Sequence, residues 1–443
     1  MYLKQFREEK IKGWGGHPIV SANVFRPERI GDLIEFITRV KGTFLARGGG
    51  TSYGDASINN DGINIDMHRL NKMLHFDPDS GVLHCQSGVA LRDIIKTFLQ
   101  KGWFLQVTPG TQLATVGGCV ACDAHGKNWK AGSFRNCVKG FSLMLYDGSI
   151  VYCSDNENSD IFLATVGGMG MTGIILDVHL QLKKVSSSYM DVETIQFSNL
   201  SELFKLQCAS MDSHEYLFAW LDSQKEGKSM GRGILQRANH CADGNLQYKE
   251  KRRIPVPFYM LNCTVNKFSV AAFNNMYYAM AAKNNKSKLY FSDFFYPLDR
   301  FTNWYRIYGK KGLVEYQVVV PSAGAYDTIS ELFRKITKSK LGSTVAAVKP
   351  LIKSDGLMSF PIDGFTLAVD FAYSEKLWSI LDKLDRIVIA SGGRVYLAKD
   401  ARLSAMSFKE MYSNSLEEWE LTREKYHVKN GFKSIMFIRF LNS

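Results

Sequence analysis

The chain has 443 residues, of which 45% are hydrophobic, 12% aromatic and 22% charged. That balance is globular and excludes a wholly disordered, collagen-like or coiled-coil chain. The formal charge of +12 points to an anionic partner, whether nucleic acid, membrane surface or phosphorylated ligand, and does not by itself choose among them.

Pro27-Glu28 opens the first helical segment, with Ile30, Leu33, Ile34, Ile37 and Val40 on one face and Gly42 as its stop. Thr43–Ala46 reads as a short strand, followed by strands at Gly62–Asp66 and Gly81–Cys85. A helix at Leu91–Leu99 and a strand at Trp103–Val107 come next, before a glycine-rich stretch from Pro109 to Gly140. This alternation of strand, loop and helix predicts an α+β or α/β first part. Composition changes after Lys183-Lys184-Val185-Ser186-Ser187-Ser188, where glycine clusters thin out and aromatic residues increase. A domain boundary is therefore expected at 187/188. A last strand begins at Gly392-Gly393-Arg394, followed by a polar helical tail.

Several classes are disfavoured. The eight cysteines, Cys85, Cys119, Cys122, Cys137, Cys153, Cys208, Cys241 and Cys263, are too sparse for a disulfide scaffold and read as free thiols in a reducing compartment. Cys119-x-x-Cys122 has no second pair at metal-ligand spacing, so no metal is expected. No apolar run approaches ~18 residues, and the N-terminal stretch has no apolar core of a secretory signal. Zinc-finger and RRM signatures are absent, which argues against nucleic acid.

The remaining signals favour a large ligand. Gly48-Gly49-Gly50 directly follows a strand, where successive glycines let backbone N–H groups converge on a phosphate. It lacks the Gly-Lys-[Ser/Thr] of a Walker loop. Thr115-Val116-Gly117-Gly118, Asp123-Ala124-His125-Gly126-Lys127 and Gly132-Ser133-Phe134 form three small-residue clusters that could lie flat against a planar group. Thr165-Val166-Gly167-Gly168 repeats the first of them. Lys399, after a strand near the end of the chain, becomes a phosphate ligand or a base only if it points into a pocket. Lys251–Tyr259 mixes cations with apolar residues and prolines, as an interfacial loop does.

Together, Arg47–Asp55, Thr108–Gly140 and Ala164–Ile175 resemble the flavin-binding segments of the vanillyl-alcohol-oxidase-type (PCMH) FAD-binding flavoproteins. Tyr316-Gln317, Ser359-Phe360-Pro361-Ile362, Val369-Asp370-Phe371 and Ala398-Lys399-Asp400 extend the likeness to the branch that oxidises a polyprenyl-phosphate-linked ribose. The resemblance implies an α+β fold with a PCMH-type FAD domain at 1–187, an α+β substrate domain on an antiparallel sheet at 188–393, and a segment 394–443 returning to the FAD domain. It implies FAD bound by Ala46, Arg47, Gly48, Gly49, Gly50, Thr51, Ser52, Tyr53, Gly54, Asp55, Ala56, Gly110, Thr115, Val116, Gly117, Gly118, Cys122, Asp123, Ala124, His125, Ile175 and Tyr396. Lys399, Tyr53 and His125 become the catalytic candidates, and Lys127, Glu315, Gln317, Lys349 and Ala368 the substrate pocket.

The implied reaction is hydride transfer from a sugar carbinol to flavin N5, giving a ketone. A separate NAD(P)H-dependent short-chain reductase would complete an epimerisation in cell-envelope glycan synthesis. Covalent members carry histidine where Thr51 stands, so the FAD is expected to be non-covalent. The lipid-linked branch has a cysteine at the position of Ala368 and a glutamine at that of Glu315. A carboxylate there repels a phosphorylated substrate unless a cation pairs with it. Two other readings are an aldonolactone- or alditol-type oxidase using a soluble polyol and O₂, and a catalytically silent flavin-binding partner. The basic excess between Lys283 and Lys353 reads as attraction to a phosphate-bearing lipid and its anionic bilayer. The protein is thus expected to be cytoplasmic and peripheral at the inner membrane.

Overall fold

The structure, a computed structural model, describes residues 6–261, 264–281, 285–341 and 343–441. Cys263 and Lys283 lie outside the described residues, and the other cysteines are unpaired.

Strands β1 (Phe6–Lys12), β2 (Ile19–Phe25), β3 (Phe44–Arg47) and β4 (Ile63–Asp66) form a sheet in the order β1-β2-β4-β3. The last three run parallel, which requires a crossover, supplied by helix α1 (Ile30–Arg39). Leu33, Phe36 and Ile37 are its buried residues, and Phe36 stacks on Phe25 at 3.9 Å.

A second sheet contains β5 (Met73–Phe76), β6 (Val82–Gln86), β7 (Trp103–Leu105), β8 (Val138–Met144), β9 (Ile150–Ser154) and β10 (Ile174–Lys184). Its order is β5-β6-β10-β8-β9, with β7 also on β10. Along β10, Leu176, Val178, Leu180 and Leu182 are buried while Asp177, His179 and Gln181 are partly exposed, the period-two signature of one core face. Helix α2 (Leu91–Phe98) continues as a 3₁₀ turn to Lys101 and stops at Gly102, whose φ is +80°. The glycine-rich stretch is not all loop. Helix α3 (Val116–Ala121) lies inside it and packs on β10, with the Thr115 hydroxyl accepting from the Gly118 N–H. Helix α4 (Ser159–Thr165) precedes the second Gly-Gly turn.

The chain passes to a third, eight-stranded sheet between Lys184 and Tyr189. Its strands are β11 (Tyr189–Phe197), β12 (Tyr216–Leu221), β13 (Gly233–His240), β15 (Lys286–Tyr290), β17 (Leu313–Pro321), β18 (Ala346–Leu351), β19 (Gly364–Ala372) and β20 (Arg394–Val395). The order is β15-β11-β13-β12-β18-β19-β17-β20, and neighbours are antiparallel throughout. β14 (Ile254–Pro255) and β16 (Phe301–Thr302) form a separate parallel pair. Helices here are α5 (Leu200–Ser210), α6 (Lys267–Ala281), α7 (Phe291–Phe295), α8 (Ala325–Ser339) and α9 (Glu375–Ala390). α5, α8 and α9 pack on one face of the sheet, where Tyr316, Val318, Leu367 and Val369 meet Leu332, Phe333 and Leu384. By alternation, Glu315, Gln317, Ala368 and Asp370 fall on the other face.

Two details cut across the expected division. Phe291, Phe294, Phe295 and Tyr296 pack into the core of the first part, although they lie in the middle segment. β20 pairs with β17, so the third sheet extends past residue 393.

The polar tail forms α10 (Ala405–Met411), α11 (Ser413–Lys425) and α12 (Ile435–Leu441). Despite its charge it is well anchored. Trp419 is fully buried, and its indole N–H donates to the Ala164 carbonyl at 3.0 Å. Arg423 donates to the Met171 carbonyl. Phe432 forms a parallel bridge to Phe44 of β3, and the Ile435 N–H donates to the Ile58 carbonyl. Trp419→Ala removes a large core side chain and the partner of a buried carbonyl. It is expected to cost about 3–5 kcal/mol and to lower the midpoint of thermal unfolding followed by circular dichroism.

Candidate active site

A cleft of about 400 Å³ lies between the glycine-rich loops of the first part and the helix-free face of the third sheet. One wall is built by Gly48–Ala56 without Gly54 and Asp55, by Gly110 and Thr115, and by Gly117, Gly118 and Cys122. Backbone contact explains the small residues. A Cβ on Gly48 would collide with the Thr115 hydroxyl, and one on Gly49 with the Leu113 carbonyl. The first loop therefore meets main chain at Gly49 and the Thr115 side chain at Gly48. Ile175 of β10 and Tyr396 complete this wall, with the Tyr396 hydroxyl donating to the Cys122 carbonyl at 3.1 Å.

The opposite wall is the sheet. Glu315 and Asp370 are register partners on β17 and β19, as are Gln317 and Ala368. Lys349 on β18 and Phe218 on β12 share that face. Carboxylates directly opposite each other repel, and Lys399 offsets this. Its Nζ donates to Glu315 Oε2 at 2.9 Å and sits 3.8 Å from the centre of the Tyr53 ring. The carboxylate expected to repel an anionic substrate is thus paired with a cation.

Burial shifts the neighbouring groups. It holds the Asp370 carboxyl well above the usual range, with Glu315 adding to the effect, so Asp370 is the protonated member of the acid pair. The Tyr53 phenol is pushed up by burial and by the same two acids. Burial, reinforced by the Lys349 charge, brings Lys127 down to about 7. Lys349 falls to about 8 through burial, which outweighs the pull of Glu315. Lys127 donates to the Phe294 carbonyl and lies over the Phe218 and Phe294 rings at 4.5 and 4.3 Å. Burial, with the charges of Lys349 and Lys399, holds His125 well below its ordinary value, so the imidazole is neutral. Gln317 Nε2 donates to His125 Nε2 at 2.9 Å and to Thr366 Oγ1 at 3.0 Å, leaving the proton on His125 Nδ1.

Lys399, Tyr53, His125, Lys127, Glu315, Gln317, Lys349 and Ala368 therefore all line one cleft. Five candidates do not. Arg47 turns back to donate to the Ser57 and Lys12 carbonyls. Gly54 packs against the Asp400 carbonyl. Asp55 pairs with Arg439. Val116 belongs to the core, and Asp123 is fully buried, accepting from the Arg135 N–H. These five support the loops from behind. Asp370, Trp304, Ser87 and Phe294 line the cleft without having been assigned to it. Asp370 had a signal, a lone acid within the apolar strand Phe365–Phe371. The thiols of the Cys119-x-x-Cys122 pair are both pushed up by burial, Cys122 to about 11, and are inert. Of the basic stretch, Lys349 lines the cleft, whereas Arg334, Lys335 and Lys338 ride on α8 behind the sheet.

Residues 21–154 match the FAD binding domain family. The chain is 30% identical to decaprenylphosphoryl-β-D-ribose oxidase of Mycolicibacterium smegmatis, over 97% of this chain and 96% of that protein. It is 28% identical to an uncharacterised protein of Streptomyces coelicolor, over 73% of this chain and 92% of that one. L-Gulonolactone oxidase of Mus musculus is 28% identical over 44% of each chain. FAD is thus the cofactor, and the cleft suits it. Ser87 Oγ is buried in the wall with no protein partner, and Gly110 has open space where a Cβ would stand.

The lysine shifts predict a pH dependence. Lys127 is released from its proton near pH 7 in the folded chain but near its ordinary 10.5 once unfolded. The unfolded state binds more protons between these values, so stability rises with pH there. Below about 7 both states are protonated and the burial penalty is full. In denaturant titrations between pH 7 and 9, the wild type should gain stability more steeply than Lys127→Met, by on the order of 1 kcal/mol per pH unit.

Proposed function

The chain belongs to the FAD-dependent oxidoreductase family of decaprenylphosphoryl-β-D-ribose oxidase, acting on CH–OH groups, and we infer that its substrate is a pentose carried on a polyprenyl phosphate. The observation that carries this reading is the Lys399–Glu315 pair over Tyr53, flanked by Lys349 and Lys127, in one cleft. A sugar hydroxyl fits beside the pair and a phosphate fits the lysines not engaged with Glu315. An anion at Lys127 and Lys349 would restore their protons and convert their burial from a cost into a binding determinant.

In the proposed reaction the carbinol loses a hydride from carbon and a proton from oxygen. Bound FAD supplies the two-electron acceptor. The Lys399 ammonium donates to the carbinol oxygen and stabilises the negative charge that grows on it. The hydroxyl proton passes to Lys399 as Lys399 hands one of its own to Glu315, so the glutamate takes up the proton and the lysine keeps its charge. The neutral His125, held by Gln317, supplies a donor at Nδ1 without adding charge. The keto product would pass to a separate NAD(P)H-dependent short-chain reductase, completing an epimerisation that serves cell-envelope glycan synthesis.

A lipid-borne substrate calls for a membrane surface beside the cleft. Among the described residues no helix is long and apolar enough to cross a bilayer. Helix α6, however, exposes Phe268, Phe273, Met276 and Met280, and the preceding loop exposes Phe258 and Leu261, at 64% and 75%. Tyr277 of the same helix reaches the cleft lining. Lys267 Nζ stands over the Phe268 ring at 4.7 Å. We therefore place the α6 face on an anionic bilayer, with the protein cytoplasmic and peripheral at the inner membrane.

Anaerobic mixing with decaprenylphosphoryl-ribose should bleach the oxidised flavin absorbance. Lys399→Ala should retain FAD and slow bleaching by about 10²–10³-fold. Bleaching by soluble aldonolactones or alditols, with none by the bound lipid-linked sugar, would instead assign a soluble-polyol oxidase. If neither class bleaches the flavin, the chain is a silent flavin-binding partner. In sedimentation with anionic vesicles, raised salt should weaken binding and the double change Phe258→Ser, Leu261→Ser should abolish it. Undiminished binding by the double variant would move the contact elsewhere.

A further inference from the structure

On the partly exposed face of the second sheet, β6 and β10 bring His84 and His179 directly opposite each other. Asp177, two residues along β10, points to the same side. The imidazoles stack at 4.1 Å with planes 10° apart. His84 Nε2 lies 2.9 Å from Asp177 Oδ1, which also accepts from the Ser142 hydroxyl at 3.1 Å. Donor atoms of the three side chains all lie within 4.8 Å of one another, the one such group of His, Cys, Asp or Glu among the described residues. The His84 and Asp177 side chains are 29% and 13% exposed, so water reaches the group without submerging it.

The surroundings give the group a defined wall. Gly140 on β8 stands opposite His179. A Cβ there would collide with the Tyr152 hydroxyl, so the missing side chain admits the Tyr152 ring. That ring meets His179 edge-on at 5.9 Å. His75 on β5 is the register partner of His84 from the other side. Two parallel imidazoles cannot both carry a proton at low cost, and burial together with His84 holds His179 below its ordinary value. The two imidazoles and the carboxylate form a nitrogen–nitrogen–oxygen donor set on a rigid sheet.

We propose that His84, Asp177 and His179 bind a divalent ion of the zinc class, with a fourth position open to water. A tetrahedral ion at ~2.0 Å needs donor atoms ~3.3 Å apart. Small rotations of the two rings from their stacked position provide that. The ion takes the place of the proton now between His84 Nε2 and Asp177 Oδ1. It would tie β6, which leads into Ser87, to β10, which supplies Ile175, two residues of the cleft wall. Only Asp177 and His179 are close in sequence; His84 lies 93 residues before Asp177.

The test uses FAD-loaded full chain, treated with chelator and titrated with ZnCl₂ by calorimetry. One ion per chain at micromolar affinity is expected, with a higher unfolding midpoint when loaded. His84→Ala, His179→Ala and Asp177→Asn should each weaken binding by about tenfold or more. His68→Ala, which removes the exposed His68–Asp66 pair elsewhere, should leave it unchanged. X-ray absorption at the zinc edge of the wild type should give two imidazole ligands, a readout that does not depend on the variants folding. Absence of saturable binding, unchanged affinity in His179→Ala, or loss in His68→Ala would overturn the proposal.

Discussion

The cleft is organised by the need to hold opposite charges out of water. Glu315 and Asp370 face each other across two strands, an arrangement that would push the sheet apart if both were ionised. Lys399 pairs with one, and the other keeps its proton. Lys399 is then fixed from below by the Tyr53 ring, and Tyr53 belongs to the first glycine loop. Its N–H donates to the Ala398 carbonyl at 2.9 Å, one residue before the lysine. A single electrostatic requirement thus ties together the third sheet, the flavin loop and the segment after β20.

The architecture serves that requirement through periodicity. Antiparallel strands send alternate side chains to opposite faces, so apolar residues go to α8 and α9 while Glu315, Gln317, Lys349, Ala368 and Asp370 go to the cleft. The glycine loops use the backbone instead. At Gly48 and Gly49 their contacts leave no room for a side chain, so that wall of the cleft is made largely of main chain. One wall can accept a cofactor common to many oxidoreductases. The other is made of side chains.

The loops were legible in the sequence because their chemistry is local. Gly48–Gly50, Thr115–Gly118 and the His125–Lys127 run each stand as contiguous signals, and all contribute to the cleft. The pairing of Glu315 with Lys399 was not legible, because 84 residues separate them and only the fold makes them neighbours. Glu315 alone read as a repulsive oddity. The side chains of Arg47, Asp55 and Asp123 turn from the cleft to partners behind the loops, a direction that the sequence does not carry. The terminal helices read as a polar tail because α11 is mostly polar, yet Trp419 and Arg423 are buried. The basic excess carried no position for a related reason: net charge along the chain does not reveal which face a helix such as α8 presents.

The position of Lys399 in the chain bears on biogenesis. The residues that complete the cleft, Tyr396 and Lys399, come within the last fifty, and they are held by Arg439 through Asp400 and by the Phe44–Phe432 bridge. During synthesis the first sheet and its glycine loops emerge early, with one wall of the cavity open and an edge of β3 unpaired. The cavity is complete only once Tyr396 and Lys399 have joined it. Loss of residues 394–441 would therefore open the cleft before it removed any strand of the first sheet.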